Sequence, residues 1–237
     1  MESLTNIELY ITSSYSEANR FFEITEDEFH HATKVMRNRV GDKIYSTNGI
    51  GQIFEGKISE ITKTNLVAEI VGKVSFKNNL DSFTLCIPNL KNSERLKFAL
   101  EKSIELGFTN FIFFNSERTI GKKINKIRLE KISLSAMKQS LRSYFPKITI
   151  LESIKELPNI NYNTVLFDQS SSNKIKDFNF DKNQKYLLLF GPEGSLSDNE
   201  IKKINPDLIL NLGKNRLRSE TAIVKCTSII SDKLQND

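Results

Sequence analysis

Hydrophobic and polar positions follow one pattern up to about residue 75 and a different one beyond it. The first part contains short runs typical of strands, at Ile7 to Ile11, Lys43 to Thr47, Ile50 to Ile58 and Asn65 to Val71. Asn48-Gly49 separates two of these runs and predicts a tight hairpin turn. Several short strands in succession predict a small β-barrel, followed by a linker over Val74 to Asp81.

One predicted helix interrupts these strands. Thr25 to Glu28 fit the capping box, in which the first and fourth residues satisfy backbone N–H groups at a helix N-terminus. Phe29, Ala32, Val35 and Met36 follow at a helical spacing. We therefore predict an amphipathic helix with these four residues on its apolar face.

From Phe83 onward, apolar runs alternate with helical patterns. The predicted strands are Phe83 to Ile87, Asn110 to Phe114, Thr164 to Phe167, Tyr186 to Phe190 and Asp207 to Leu210. The predicted helices are one capped by Ser93 and ended by Gly107, one from about Asn125 to Arg142, one opened by the capping box Ser197 to Glu200, and one from about Ser219 to the C-terminus. Strands buried on both faces that alternate with helices indicate a mostly parallel sheet.

The composition describes an ordinary folded protein with a mild basic excess. Its 237 residues are 38% hydrophobic and 27% charged, and 34 Lys and Arg against 29 Asp and Glu give a net charge of +5. This charge permits a polyanionic partner such as nucleic acid without requiring one. No apolar run approaches the roughly 18 residues that cross a bilayer, and no signal peptide is visible, so we expect no membrane contact.

The residue inventory argues against several kinds of active site. Cys86 and Cys226 lie far apart and the only histidines, His30 and His31, are adjacent, so no Cys-rich or His-based zinc site is expected. We interpret the cysteines as buried thiols in a reducing cytoplasm. Gly51 to Lys57 has the spacing of a phosphate-binding loop, but it lacks the Ser or Thr that should follow and alternates as a strand does.

Two glycine-containing segments that follow late strands carry the most informative pattern. The first, Leu187 to Ser195, contains Gly191 and Gly194, and the second, Leu210 to Ala222, contains Gly213. Each places glycine at the carboxyl end of a strand, where open α/β sheets bind ligands. Without a side chain, the backbone can approach an adenine or ribose edge closely. Either segment alone fits a simple turn, whereas the two together indicate a ligand site.

These segments resemble the signature of the RsmE family, the 16S rRNA uridine N3-methyltransferases of the SPOUT superfamily. Gly191 to Ser197 is similar to the family's G-P-E-G-G-hydrophobic-S loop, with Ser195 at the second glycine of the pair, and Leu212 to Ala222 is similar to its L-G-x-x-x-L-R-x-E-T-A loop. Three further matches in family order are His31 to Arg37 with Gly41-Asp42, Glu105 to Gly107, and Gln139 to Arg142 with Pro146. The resemblance therefore spans nearly the whole chain.

The resemblance implies a fold and a cofactor. The fold class is α/β, a SPOUT-type trefoil-knotted, mostly parallel sheet with helices on both faces, plus a small N-terminal PUA-like β-barrel that binds RNA. The implied domains are residues 1–74 and 75–237. The family's knot loops enclose S-adenosylmethionine, and no metal is implied. Carried over by position, the cofactor contacts are Phe167, Leu189, Gly191, Glu193, Gly194, Leu212, Gly213 and Leu217.

Methylation at N3 of a uridine requires that the N3 proton leave, which spreads negative charge onto the flanking carbonyl oxygens. Arg218 is suited to stabilise that charge with its fixed guanidinium fork. Glu220 is the nearest acid, and it either accepts the proton or orients Arg218. An acid in this position also fits a plain helix start, because it favours the positive end of the helix dipole.

Basic residues outside the two loops are the candidates for RNA contact. Lys34 and Arg37 lie three apart on the predicted helix and are expected to share a face. As a set the candidates make a plausible phosphate track: Arg20, Lys34, Arg37, Arg39, Arg118 and Arg142.

The leading interpretation is a cytoplasmic, S-adenosylmethionine-dependent methyltransferase that acts on N3 of a specific uridine in 16S rRNA of the small ribosomal subunit. The superfamily resemblance implies a homodimer. Two alternatives stay open: another SPOUT methyltransferase that acts on tRNA or a different rRNA position, and a non-catalytic RNA-binding assembly factor. Cofactor binding separates the last class from the others.

Overall fold

The computed structural model describes residues 7–119, 123–158 and 161–235. The chain divides into two units, each built around a sheet of its own. The first unit combines Met1–Asn78 with a later segment, Met137–Phe145, and the second combines Asn79–Ala136 with Pro146–Asp237. The two different hydrophobic patterns of the sequence therefore correspond to two different sheets.

The first unit contains a six-stranded, mainly antiparallel sheet. Its strands are β1 (Leu9–Ile11), β2 (Ser14–Ser16), β3 (Phe21–Thr25), β4 (Lys43–Thr47), β5 (Gln52–Ile61) and β6 (Asn65–Ser75), in the order β1-β4-β5-β6-β3-β2. Only β1 and β4 are paired in parallel. Alternate residues such as Phe22, Ile24 and Phe54 are fully buried, because every second side chain of a strand points to the same face.

The hairpin between β4 and β5 is confirmed. Gly49 has a φ of 70°, and the Asn48 side-chain oxygen accepts hydrogen bonds from the backbone N–H groups of Ile50 at 3.0 Å and Gln52 at 3.2 Å. Asn-Gly fits such a turn because both residues tolerate positive φ. The segment with phosphate-loop spacing lies mostly on β5, which confirms that it is a strand.

The predicted helical face around Ala32 is only partly correct. Helix α1 (Glu26–His30) continues as a π-helical turn over His31–Val35. Ala32 is buried, whereas Val35 and Met36 are 62% and 48% exposed. A π-turn contains more residues than an α-helical turn, so the residues after it rotate away from the face that a 3.6-residue spacing predicts.

The predicted capping box at the start of α1 is wrong. Thr25 makes no side-chain cap hydrogen bond. The Glu28 carboxylate instead accepts hydrogen bonds from the Ile11 backbone N–H at 3.1 Å and from the Lys138 ammonium group. Glu28 therefore joins strand β1 and the returning segment Met137–Phe145 within the first unit.

The second unit contains a six-stranded sheet in which every pair is parallel. Its strands are β7 (Phe83–Pro88), β8 (Asn110–Phe114), β9 (Lys147–Leu151), β10 (Asn163–Phe167), β11 (Tyr186–Leu189) and β12 (Leu208–Leu210), in the order β12-β10-β11-β7-β8-β9. Strands β7 and β11 are buried along their whole length. This confirms the expected parallel α/β sheet.

Four α-helices accompany these strands: α2 (Ser93–Glu105), α3 (Lys126–Gln139), α4 (Asp198–Ile204) and α5 (Ser219–Gln235). The Asn92 side chain caps α2 by accepting from the Glu94 backbone N–H at 2.9 Å, so the predicted cap at Ser93 is wrong by one residue. The capping box at the start of α4 is confirmed. None of the helices within the described ranges is long and apolar enough to cross a membrane.

Both cysteines lie in the core of the second unit. Cys86 on β7 and Cys226 on α5 are fully buried and free, as predicted. Burial raises the pKa of both thiols above the usual range, because a thiolate loses its hydration there. They are therefore packing residues rather than reactive ones.

Candidate functional site

A pocket of about 580 Å³ opens at the carboxyl ends of β10, β11 and β12 in the second unit. Its lining comes from the segments that follow these strands and from the first turn of α2: Arg95, Phe167, Asp168, Gln169, Phe190, Gly191, Pro192, Glu193, Ser195, Asn211, Leu212, Gly213, Asn215, Arg216, Leu217, Arg218, Ser219 and Ala222. Parallel strands bring their carboxyl ends to one edge, where the following loops enclose a ligand site. The volume lies in the range of small-molecule sites, roughly 300–1,000 Å³.

The first glycine loop (residues 190–197) makes a tight reversal after β11. A Cβ atom on Gly191 would lie 3.3 Å from the Ser195 Cα and 3.4 Å from the Leu196 nitrogen, so a larger residue would push the loop open. Ser195 has a φ of 58°, in the left-handed region that favours glycine. The serine that replaces the family's second glycine therefore holds a strained conformation, at a cost of about 1 kcal/mol.

Three side chains from outside the first glycine loop hold its backbone and its acid. The Ser219 hydroxyl donates to the Gly191 carbonyl oxygen at 2.6 Å, and Arg118 Nη1 donates to the Gly194 carbonyl oxygen at 2.6 Å. Arg95 Nη1 donates to Glu193 Oε1 at 3.2 Å. These contacts fix the loop in place in the described structure.

The second glycine loop (residues 211–218) is anchored on the segment that follows β10. The Asn211 side-chain nitrogen donates to the Gln169 carbonyl oxygen at 2.7 Å, and its side-chain oxygen accepts from the Gly213 N–H at 2.5 Å. Gln169 Nε2 in turn donates to the Lys214 carbonyl oxygen at 3.2 Å. Because β12 pairs with β10, the segments that leave them lie side by side and are joined by both amide side chains and by the backbone hydrogen bond from Asn211 N to the Asn173 carbonyl oxygen at 2.6 Å.

Two phenylalanines form an apolar wall of the pocket. Phe167 ends β10 and Phe190 follows β11, and their rings stack with centroids 4.9 Å apart and planes inclined by 17°. The neighbouring parallel strands β10 and β11 impose this arrangement, because each places a residue at the same height of the sheet edge. A planar ligand ring is suited to such a wall.

The three arginines that line the pocket differ in their partners. Arg216 and Arg218 are exposed, and within the described ranges neither side chain has a hydrogen-bond or ion-pair partner. Arg95 is paired with two carboxylates, since its Nε also lies 3.5 Å from Glu220 Oε1. The guanidinium groups of Arg216 and Arg218 are therefore available to an anionic ligand, whereas that of Arg95 is already paired.

Glu220 occupies an unusual environment at the start of α5. It is 8% exposed, and its Oε2 atom is buried without a hydrogen-bond partner among the described residues. A buried polar atom without a partner is costly, so such an atom commonly marks a group that a ligand or water satisfies.

Most of the predicted cofactor contacts come together in this pocket. Its lining contains Phe167, Gly191, Glu193, Leu212, Gly213, Leu217 and the predicted catalytic residue Arg218. Three other predicted site residues lie beside the lining. Leu189 is fully buried in the sheet, Gly194 has its carbonyl oxygen bound by Arg118, and Glu220 is bound by Arg95. The roles of all these residues stay predictions.

The basic residues predicted to bind RNA fall into two groups. Lys34, Arg37 and Arg39 are exposed in the first unit, and within the described ranges their side chains have no ion-pair partner. Arg37 lies beyond the π-helical turn with a φ of 58°, so the expectation that it shares a helical face with Lys34 is wrong.

The other three basic candidates are engaged within the chain. Arg20 Nη2 donates to the Ile70 carbonyl oxygen at 3.1 Å, and Arg118 holds the first glycine loop. Arg142 is partly buried in the first unit, and desolvation lowers the pKa of its guanidinium. These three guanidinium groups are therefore already engaged within the chain, and RNA would have to bind them beside their present neighbours.

The sequence pattern missed Arg95, Gln169 and Asn211. Arg95 lies in the first turn of α2, after the carboxyl end of β7, which neighbours β11 in the sheet. The rule that ligands bind beyond the carboxyl ends of parallel strands points to this segment as well. Applying this rule to Arg95 requires the order of the strands in the sheet, which the sequence pattern does not give.

The fold and the pocket define an α/β domain with a ligand site at its strand ends, joined to a β-rich unit. Residues 77–231 match the family model described as "RNA methyltransferase domain", and residues 24–71 match the "RNA methyltransferase PUA domain". The chain therefore belongs to the RNA methyltransferase family that these models describe. This confirms the resemblance on which the sequence interpretation rests.

Individual relatives carry one recurring name. The Ribosomal RNA small subunit methyltransferase E of Bacillus subtilis (strain 168) is 26% identical over 239 residues, which cover 93% of each chain. The protein of the same name from Buchnera aphidicola subsp. Acyrthosiphon pisum is 29% identical over 219 residues, which cover 87% of this chain and 85% of that one.

Two solved structures share the fold over nearly the whole chain. The probable rRNA-methyltransferase from Porphyromonas gingivalis has a TM-score of 0.81 at 28% identity and covers 97% of this chain and 99% of that one. The Ribosomal RNA small subunit methyltransferase E from Neisseria gonorrhoeae, bound to S-adenosyl methionine, has a TM-score of 0.82 at 22% identity and covers 96% and 98%.

Proposed function

We propose that this protein transfers a methyl group from S-adenosylmethionine to N3 of a specific uridine in 16S rRNA of the small ribosomal subunit. The observation that carries the proposal is the pocket between the two glycine loops, which lies at the carboxyl ends of three parallel strands in a chain of the RNA methyltransferase family. The names of the relatives support the rRNA substrate, and the Neisseria gonorrhoeae structure supports the cofactor.

The residues present fit S-adenosylmethionine. The pocket has the volume of a small-molecule site, and Gly191, at which a Cβ atom would crowd Ser195 and Leu196, lets the first glycine loop close tightly beside it. The stacked pair Phe167 and Phe190 offers an apolar wall to the adenine. The proposed holding residues are those that the family resemblance indicates: Phe167, Leu189, Gly191, Glu193, Gly194, Leu212, Gly213 and Leu217. When bound, the cofactor supplies an electrophilic methyl group.

Leu189 is the weakest of these proposed contacts. Its side chain is fully buried in the core of the sheet, among Cys86, Leu166 and Leu187. It therefore supports the strand end from which the first glycine loop leaves, and only its backbone is left for a ligand.

In the proposed reaction Arg218 stabilises negative charge on a uridine carbonyl oxygen as N3 loses its proton. Its guanidinium lines the pocket and has no carboxylate partner among the described residues, so its charge is not compensated inside the chain. Groups aimed at charge that develops in the transition state contribute most of the acceleration in many enzymes. Glu220, whose Oε2 lacks a partner, is the proposed proton acceptor.

Several further features belong to the same proposal. The chain acts in the cytoplasm as a homodimer, and its sheet edge around the pocket forms the family's trefoil knot. The proposed phosphate track is the set named above, with the exposed Lys34, Arg37 and Arg39 as its most accessible members. Binding that depends on such a track weakens steeply with salt.

Methyl transfer from radiolabelled S-adenosylmethionine tests the proposal. The acceptors are small ribosomal subunits isolated without this modification, naked 16S rRNA, and tRNA. We expect label at one uridine of the subunit, which nuclease mapping followed by mass spectrometry identifies as N3-methyluridine. Label on tRNA, or label on no RNA from a folded protein that binds the cofactor, would contradict the proposal.

A further inference from the structure

Arg95 connects two acids that lie 27 residues apart in the sequence, Glu193 and Glu220. Its Nη1 atom lies 3.2 Å from Glu193 Oε1, and its Nε atom lies 3.5 Å from Glu220 Oε1. Glu193 belongs to the first glycine loop, and Glu220 belongs to the first turn of α5, directly after the second glycine loop. One guanidinium on α2 therefore joins the two segments that enclose the pocket.

We propose that Arg95 is a positioning residue for the methyl transfer: it holds Glu220 by one carboxylate oxygen, so that the other oxygen is presented as a free acceptor, and it ties Glu220 to the first glycine loop through Glu193. This inference rests on the proposed function. It adds a residue that touches neither reacting atom but determines where the proposed proton acceptor lies.

The burial of Glu220 makes a positive partner necessary. Its side chain is 11% exposed, whereas the side chains of Arg95 and Glu193 are 31% and 41% exposed. A carboxylate removed from water is unfavourable unless a cation or hydrogen-bond donors accompany it. Among the described residues, Arg95 provides the one ion pair of Glu220. Without Arg95, the buried carboxylate of Glu220 loses its one described ion pair, so its position is no longer fixed relative to the first glycine loop.

The chemistry of the guanidinium explains why this position carries arginine. Two different N–H groups of a rigid planar fork reach two separate carboxylates. A lysine presents a single ammonium on a flexible stem, so it keeps the charge but loses the fixed relation between the two acids. Arg95→Lys and Arg95→Gln therefore separate the geometric contribution from the electrostatic one.

A second contact supports the same coupling. The hydroxyl of Ser219, the residue before Glu220, donates to the Gly191 carbonyl oxygen at 2.6 Å. The start of α5 is thus joined to the first glycine loop twice, by the Ser219 hydroxyl at the loop backbone and by Arg95 between the side chains of Glu193 and Glu220. Movement of either segment therefore displaces the other.

The test measures kcat and KM for methyl transfer to unmodified small subunits, together with cofactor affinity by calorimetry. The variants are Arg95→Lys, Arg95→Gln, Glu220→Gln, and Arg95→Gln combined with Glu220→Gln, each compared with wild type. We expect kcat to fall roughly tenfold in Arg95→Lys and about a hundredfold in Arg95→Gln. Kd for the cofactor should change less than about threefold, so the loss should appear in kcat rather than in cofactor binding. The double variant should be no slower than Glu220→Gln alone, because both act through one acid.

Arg128→Gln is the matched control, because it removes an exposed ion pair with Glu94 at 2.9 Å and touches no pocket residue. It should leave kcat and the cofactor Kd unchanged. A kcat of Arg95→Gln within twofold of wild type would overturn the inference while leaving the proposed function intact. A folded wild type that transfers no methyl group would instead overturn the proposed function. If Arg95→Gln fails to fold, Arg95→Lys carries the test, because its expected loss of kcat is still about tenfold.

Discussion

The two glycine loops leave the strands β11 and β12, which flank β10, yet they are built in opposite ways. The first glycine loop accepts hydrogen bonds from the side chains of Ser219, Arg118 and Arg95, which lie outside it, and it contains a strained residue, Ser195. The second glycine loop is anchored only near its start, through Asn211 and Gln169, and its later residues are exposed. The first glycine loop is therefore a preformed cradle for a ligand, and the second exposes the side chains of Arg216 and Arg218, which have no ion-pair partner among the described residues.

This difference fits two tasks that a group-transfer site must combine. A small ligand is held best by a surface that needs no reordering on binding, because ordering costs affinity. A polyanionic acceptor needs uncompensated positive charge at the mouth of the pocket. We therefore propose that the first glycine loop supplies the preformed part of the cofactor site, while the second adds charge stabilisation by Arg218 to its own cofactor contacts, and variants of single residues can separate these contributions.

The largest effect is expected for Arg218→Ala. Loss of the guanidinium should lower kcat by about 10³-fold, because the charge on the uridine oxygen then has no fixed partner. Kd for S-adenosylmethionine should stay within about twofold of wild type, because the first glycine loop is untouched. Single-turnover methyl transfer and calorimetry measure the two quantities. A loss of cofactor affinity as large as the loss of rate would break the division between the loops.

Gly191→Ala should act on the cradle alone. Its new methyl group would stand 3.3 Å from the Ser195 Cα, so the loop backbone must shift by a few tenths of an ångström, and we expect cofactor affinity to fall about tenfold, or ~1.4 kcal/mol. Gly194→Ala changes a second glycine of the same loop and should lose less affinity, because a Cβ there meets the Arg118 side chain at the ordinary contact distance of 3.6 Å. Calorimetry on both variants is the measurement. Equal losses for the two alanines would show that steric closeness at Gly191 is not what holds the cofactor.

Arg216→Gln should weaken RNA binding without changing the cofactor site. Its guanidinium is exposed and free of ion pairs among the described residues, so it is available to a phosphate. Neutralising one phosphate contact should reduce the slope of log K against log salt by about one and weaken binding roughly threefold. Filter binding to small-subunit rRNA over a salt series measures this. An unchanged salt slope would remove Arg216 from the displayed basic group.

Ser195→Gly is expected to have the smallest effect, and in the stabilising direction. Glycine relieves the positive φ of 58°, and the greater freedom of the unfolded chain offsets part of that gain, which leaves about 0.5 kcal/mol. The melting temperature should rise by about 1–3 °C. Ser195→Ala, which keeps a Cβ atom, is the control and should show no rise. A lower melting temperature for the glycine variant would contradict the strain.

Strands marked by an apolar run or by an adjacent turn signal were predictable from sequence. Asn110–Phe114 was predicted to the residue because apolar residues fill its buried positions, and Lys43–Thr47 because the Asn48-Gly49 turn follows it, although Ser46 and Thr47 are among its buried residues. The inner strand Phe21–Thr25 was missed although its alternate residues are buried. Ser14–Ser16 lies at the edge of its sheet and is mostly exposed, so no hydrophobic pattern marks it. The edge strand Lys147–Leu151 was missed although Ile148 and Ile150 alternate with polar residues, and its pairing with β8 identifies it as a strand.

The candidate site shows the same limit at the level of side chains. Phe167, Gly191 and Arg218 follow a strand end or lie in a recognisable loop, so the sequence pattern and the family resemblance brought them into one prediction. Arg95 lies on a helix about 100 residues before the loops, and only the order of the strands brings it to them. Its partners follow from tertiary contacts that local patterns do not encode.

The most direct test of the account is a crystal structure of the chain with S-adenosylhomocysteine, the demethylated cofactor. We expect the nucleoside to lie between the first and second glycine loops against Phe167 and Phe190. The φ of Ser195 should stay positive, and Arg95 should keep its contacts with Glu193 and Glu220. A nucleoside bound outside this pocket, or a first glycine loop that refolds around it, would contradict the claim that the cradle is preformed.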